Sequence, residues 1–483
     1  MEGQRGGRGG LVLLLIAVVV VGAIVASVTV THADAPPPEK QTHVVEWPAN
    51  VAPIAHSVEQ IRGLQFHHSV PIRRVHVSRG VTAPVDARTR TTLESALQPL
   101  VAFGLVSGDN DVATLVNVAS EPPAGVYSPS SRVIRIFVPT GNAFGHEVVA
   151  HELTHALEDQ NYPEADRPTP RMATQLIADR GVVEGSATRV EQLYVHEQWL
   201  APFLRHARRA DVDLGTDPAV RKWEWFAALG VAPYALGASY IDAALARGDL
   251  TWNRIIASSP ASDVVLVDPL ASPTTPWLVT GIPSSTFQEP SALEVYLLLA
   301  SRVDAADALD AITRSFGSML TTYERDGRRC ADLTLVTRTP ADPTVMATLD
   351  RWVASAGPAN ASRAAVPSGT QAVIPSTRPN DPPTVVRVQT GSPVLTSCRG
   401  VSSAPFGSFG VPLALLVGRN EAVASAIRHG FDDQATACIA RAVLTDQQFR
   451  KELSDAVKAQ EHITIEPSRD AYRRGVAACD ASR

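Results

Sequence analysis

Residues 147–160 read Glu-Val-Val-Ala-His-Glu-Leu-Thr-His-Ala-Leu-Glu-Asp-Gln. Helix formers fill the stretch, and Val148, Leu153 and Leu157 draw an apolar stripe along it, so it predicts an amphipathic helix. On a helix, residues four apart share one face, separated by about 6 Å along the axis. His151 and His155 can therefore aim imidazole nitrogens at one ion, and imidazole suits zinc. Glu152 sits about 100° round from His151. From there it can flank the ion without ligating it, take a proton from a water that the metal has acidified, and hand it to a leaving amine.

A five-residue pattern alone recurs by chance, so its surroundings must carry the argument. Residues 132–138 (RVIRIFV) end in a β-branched run, and Thr140-Gly141-Asn142 breaks it just before the helix. Downstream, Gly181-Val182-Val183-Glu184-Gly185-Ser186-Ala187-Thr188 opens a second helical pattern. Its Glu184 supplies a third ligand, and the flanking small residues suit close packing against the first helix. Two histidines and a glutamate leave a coordination position open, which separates a catalytic zinc site from a four-ligand structural one. Glu191 is the rival to Glu184, and Asp159 is placed to hydrogen-bond and orient a metal-ligating residue. Five residues turn His146 about 140° away from His151. It reads as structural, as do His67, His68 and His196, which lack a carboxylate at ligand spacing.

HELTH followed by Ala156-Leu157-Glu158-Asp159-Gln160, with a later VEGxA segment, resembles the gluzincin branch of the zincin metallopeptidases, to which thermolysin belongs. The sequence Ile61-Arg62-Gly63-Leu64, then Val126-Tyr127 and RVIRIFV, and later Pro233-Tyr234-Ala235-Leu236-Gly237, is similar to a group of exported bacterial zincin-like proteins. The resemblance covers roughly residues 44–354. It implies an α+β, helix-rich zincin-like domain, one zinc ion held by His151, His155 and Glu184, and Glu152 as general base. It also implies that the strand at 132–138 is an edge along which an extended peptide pairs. Tyr234, Tyr240 or an arginine can serve the developing oxyanion, with Tyr234 the first choice. Two positions depart from the pattern. Ser186 stands where an acid is commoner, and Asp268 where relatives often carry His before Pro.

The rest of the chain sets the address. Arg5 and Arg8 precede a charge-free run at 11–30, long enough at about 1.5 Å per residue to span a bilayer core of roughly 30 Å. Basic residues before it and none just after put the amino terminus (1–10) in the cytoplasm and the bulk outside the cell. Ala33-Asp34-Ala35 keeps open a secreted form made by signal-peptide cleavage. Residues 31–43, with Pro36-Pro37-Pro38, read as an extended spacer. The 483 residues carry a net charge of only −6 with no basic cluster, so nucleic acid is excluded as a partner.

Residues 44–355 read as the peptidase domain, 356–396 as a proline-rich linker, and 397–483 as a small helical disulfide module. The four cysteines, Cys330, Cys398, Cys438 and Cys479, are even in number and fit two disulfides in an oxidising compartment. Four cysteines allow three pairings. Cys438–Cys479 stapling two helices and Cys330–Cys398 bridging across the linker are the pairs expected. The function predicted is a membrane-anchored extracytoplasmic zinc metallopeptidase acting on peptide or protein substrates. The alternatives are an inactive zincin-fold binding protein at the cell surface, and a functional C-terminal module carried by the domain before it.

Overall fold

The computed structural model describes residues 45–75, 87–106, 124–163, 173–197, 224–248, 250–279, 287–288, 290–356, 361–365, 371–374, 384–387, 391–399, 409–459 and 466–480. The predicted anchor and spacer, and the side chain of His196, lie outside them. The architecture is mixed helix and sheet.

The first layer surrounds a three-stranded sheet. Helix α1 (Ala52–Arg62) ends at Gly63, whose φ of 62° is the left-handed conformation that closes a helix. Strand β1 (Ile72–Arg74) and helix α2 (Ala87–Phe103) follow, then β2 (Gly125–Ser128) and β3 (Val133–Ile136). The order is β1-β3-β2, with β3 parallel to β1 and antiparallel to β2. The segment 132–138 is thus the central strand and not the edge that the resemblance implies. Alternation identifies a half-buried strand, but which neighbours it acquires depends on β1, some sixty residues earlier, and is not encoded locally.

Three long helices come next. Helix α3 (Ala143–Asn161) starts where the Asn142 side chain accepts the Gly145 N–H at 2.8 Å, which satisfies an otherwise orphaned donor. Helix α4 (Ala173–Glu197) and helix α5 (Glu224–Arg247) pack along each other. Among the described residues α5 alone is long and apolar enough to cross a membrane, but 67% of its most apolar window is buried inside the fold. It is the axis of the larger core. Two short helices, α6 (Trp252–Ala257) and α7 (Val264–Val267), wrap its far end.

The remaining chain builds an eight-stranded sheet and its covering helices. In order these are β4 (Leu278–Val279), β5 (Phe287–Gln288), α8 (Ala292–Ala300), α9 (Ala305–Arg314), β6 (Ser315–Arg325), β7 (Arg328–Thr337), α10 (Pro343–Ala356), β8 (Ala361–Ala365), β9 (Gln371–Ile374), β10 (Thr384–Arg387) and β11 (Pro393–Arg399). The path is β10-β9-β4-β6-β7-β11-β8, with β5 paired to β6. Trp277, Tyr296 and Trp352 are fully buried in the core it shares with α5.

Two boundaries therefore move. Residues 356–396 do not link two domains: β8, β9, β10 and the start of β11 lie inside them and complete the sheet. The strands use short proline-free runs, and Pro393 takes the first position of β11, where a missing N–H is tolerated. Nor is 397–483 a separate module. Helix α11 (Gly410–Arg428) packs on α5, and Phe409 meets Trp225 edge-on at 5.3 Å. Helices α12 (Asp433–Thr445), α13 (Gln447–Ala459) and α14 (Glu466–Asp480) pack outside it.

The disulfides join Cys330 to Cys398 and Cys438 to Cys479. The second staples α12 to α14. The first joins directly opposed residues of β7 and β11 within one sheet, rather than reaching across a linker.

Candidate metal centre

Helix α3 presents both histidines on one face, and their rings meet at 4.8 Å between centroids. Glu184 on α4 enters between them. Its Oε2 lies 3.4 Å from His151 Nε2 and 3.3 Å from His155 Nε2. One ligand atom from each of the three residues lies within 4.8 Å of the others, so the group can hold a metal ion.

Glu191, two turns further along α4, sits 3.1 Å from His151 Nδ1. It is not the third member of the group. A proton on Nδ1 directed at this carboxylate would orient the ring so that Nε2 is the nitrogen turned toward a metal ion.

The approach of α4 depends on glycines. A Cβ on Gly185 would fall 2.2 Å from the Gly237 carbonyl carbon, and one on Gly237 would fall 1.8 Å from the Gly181 carbonyl oxygen. Backbone therefore touches backbone where α4 crosses α5. Of the small residues after Glu184, Gly185 serves this crossing with α5, while Ser186 faces α3. The same crossing brings Tyr234 of α5 to the site, its ring stacked on His151 at 5.8 Å and its hydroxyl hydrogen-bonded to Arg180. Arg180 also faces Glu184, at 3.8 Å. Tyr240 belongs to the larger core and is not part of this group.

Glu152 is buried, and its Oε2 accepts the Tyr127 N–H at 2.6 Å. Strand β2 lies so close here that a Cβ on Gly125 would come within 2.9 Å of Glu152 Oε1. Ala124 C=O accepts the Phe137 N–H across the pair with β3. Because an antiparallel ladder alternates, Gly125 and Tyr127 turn their backbone groups the other way, toward α3. Among the described residues β2 is an edge of its sheet, and it is the edge beside Glu152.

The electrostatics follow from burial and pairing. Burial opposes a charge on His151, but the carboxylates of Glu184 and Glu191 against it hold its pKa well above the usual imidazole value. Burial likewise works against ionised Glu184, yet the two histidines and Arg180 hold it well below the ordinary carboxylate range. For Glu152 burial wins over the neighbouring histidines, and its pKa is raised. Burial, helped by Glu184, also raises the Tyr234 hydroxyl, which stays neutral.

Several contributors escape a reading of the motif alone. Glu158, two turns beyond His151 on α3, is buried and accepts Arg62 Nε at 2.7 Å and the Ser186 hydroxyl. Ser186 in turn accepts the Trp252 indole N–H at 2.8 Å, and the Arg62 guanidinium lies over that indole at 4.4 Å. Ser186 thus ties α4 to α3. Asp268 pairs with Arg419 of α11 at 2.7 Å and serves the core.

Asp159 accepts the Tyr127 hydroxyl at 2.8 Å, which ties α3 to β2. His67 and His68 donate their backbone N–H groups to Gln160. The spacing of Glu158 from His151 was the available signal for its role. Nothing local marks Gly125.

No protein-family model, curated protein or solved structure matches the chain.

Proposed function

We propose that the chain is an exported zinc-dependent peptidase of the gluzincin kind, anchored to the membrane by residues 11–30. The observation that carries this reading is the convergence of His151, His155 and Glu184 with a buried Glu152 alongside and an edge strand next to it. Two imidazoles and one carboxylate suit zinc and leave a position for substrate. Zinc held there would supply Lewis-acid polarisation of the scissile carbonyl and acidify the attacking water.

The remaining work falls to the protein. Glu152 takes a proton and, with its pKa raised by burial, keeps it long enough to pass it to the leaving amine. The Tyr127 N–H fixes the carboxylate for that transfer. With the Tyr127 N–H held by Glu152, an extended peptide pairs with the outward backbone groups of Gly125 and the C=O of Tyr127, so β2 takes the part that the resemblance gives to 132–138. Tyr234, neutral and held by Arg180, donates toward the oxyanion. Two disulfides agree with an oxidising compartment outside the cytoplasm.

The test is the metal content of the purified full chain, with hydrolysis of a quenched fluorescent peptide library beside it. Wild type should carry one zinc per chain and His155→Ala should lose it. Glu152→Gln should keep zinc while its rate falls by roughly 10²–10⁴-fold or more. A wild type without stoichiometric zinc would overturn the centre, and a fully active Glu152→Gln would overturn the base. Zinc bound without any hydrolysis would favour the scaffold alternative.

A further inference from the structure

The small sheet has a second edge, and its surroundings are unlike those of β2. Pro71 C=O accepts the Ile134 N–H at 2.9 Å, and the Val75 N–H donates to Ile136 C=O at 2.9 Å. In a parallel ladder the bonding residues alternate, so Pro71, Arg73 and Val75 face β3 while Ile72 and Arg74 turn their N–H and C=O groups outward. Among the described residues no strand lies beyond β1. Unpaired groups of this kind are a template for another extended chain.

Beside this edge lies a cavity of about 360 Å³. Buried Val51, Ile54, Val70 and Val149 form its apolar part, and Arg74 and His146 stand at its polar side. That volume lies at the small end of the range for ligand pockets, large enough for a side chain or two. None of the metal-binding group lines it. His146 and Val149 belong to a part of α3 that turns away from His151.

The charge here is of one sign. Arg73, Arg74 and Arg132 are exposed and Arg135 is half-buried, and Arg73 is directly opposite Arg135 across the pair with β3. Among the described residues none of these four has an acidic partner. Unpaired arginines gathered on one small sheet of a chain with net charge −6 mark a surface complementary to an acidic ligand.

We propose that the free edge of β1, with its cavity and its arginines, docks an extended acidic peptide segment of a partner or substrate protein. Backbone groups pair with Ile72 and Arg74, an apolar side chain enters the cavity on the face that Ile72 and Arg74 share, and carboxylates meet Arg73 and Arg135 on the opposite face. The outward N–H and C=O groups select a peptide over other polyanions, since only a backbone satisfies both in register. The proposal does not rest on the peptidase reading.

The test uses the full chain carrying Glu152→Gln, so that no probe is cut, and a fluorescein-labelled octapeptide alternating Glu with Leu, read by fluorescence anisotropy. The acidic probe should bind at least tenfold tighter than its Lys-for-Glu counterpart, and Arg73→Glu with Arg74→Glu should reverse that preference. Ile72→Pro removes an outward N–H without touching the ladder to β3, and it should weaken binding about tenfold with circular dichroism unchanged. Binding that survives Ile72→Pro and is displaced equally by heparin would mean a plain charged patch and would overturn the docking site. So would no binding at all. His155→Ala should leave binding intact, so failure here and failure of the metal centre are read separately.

Discussion

Gly237→Ala tests whether the candidate metal centre depends on the backbone crossing of α4 and α5. The added methyl would lie 1.8 Å from the Gly181 carbonyl oxygen, 2.7 Å from its carbonyl carbon and 3.0 Å from Gly185 Cα. An ordinary carbon–oxygen contact is about 3.3 Å, so α4 and α5 must part by roughly 1.5 Å. All three obstructing atoms are backbone, and no side-chain rotation relieves them.

Overpacking of well-filled cores costs about 1–3 kcal/mol, and a backbone clash this deep belongs at or above the upper figure. At about 2 °C per kcal/mol, the melting temperature should fall by roughly 6 °C or more. Glu184 rides on α4 within one turn of the contact, so zinc affinity should fall by at least tenfold as the helix shifts against α3. Differential scanning fluorimetry and competitive zinc titration measure the two effects. A variant as stable as wild type, with unchanged zinc affinity, would refute the account of how Glu184 is brought in.

Three further outcomes follow from the same contacts. Arg62→Met leaves Glu158 buried without its guanidinium partner and should cost about 3–5 kcal/mol, seen as a shifted urea midpoint; an unchanged midpoint would remove the network's structural role. Gly125→Ala sets a methyl 2.7 Å from Val148 Cγ1 and 2.9 Å from Glu152, so hydrolysis should drop roughly tenfold to a hundredfold with zinc content unchanged.

Glu147 is buried near Glu191, and burial first and that carboxylate second raise its pKa from 4.5 to about 7. A carboxyl raised on folding holds more protons folded than unfolded between those values. Stability therefore declines as pH climbs through that window, and the whole penalty stands above it. Glu147→Gln should flatten the decline and stabilise the metal-free protein at pH 8 by up to about 3 kcal/mol. Thermal melts at pH 6 and pH 8 decide it, and a less stable variant at pH 8 would contradict the sign.

Local periodicity made half of the candidate metal centre legible. A helix repeats every 3.6 residues whatever surrounds it, so the spacing of His151 and His155 determined a shared face before any tertiary contact existed. The same logic set Glu152 beside them, and the cysteine count pointed to two disulfides. Glu184 could be nominated from its type and its helix, but the sequence could not exclude Glu191 on that helix. The crossing at Gly181, Gly185 and Gly237 decided between them, turning Glu184 onto both Nε2 atoms and Glu191 onto Nδ1.

The misjudged features share one cause. Whether 132–138 is an edge or a centre depends on pairing with β1. Whether 356–396 is a linker or part of a sheet depends on β4, β7 and β11 offering partners to short strands between prolines. The sequence by itself determined which faces its helices and strands would present. Only the tertiary structure decided what those faces would meet, because register, strand order and backbone approach are set by contacts between segments far apart in the chain, and no local pattern records them.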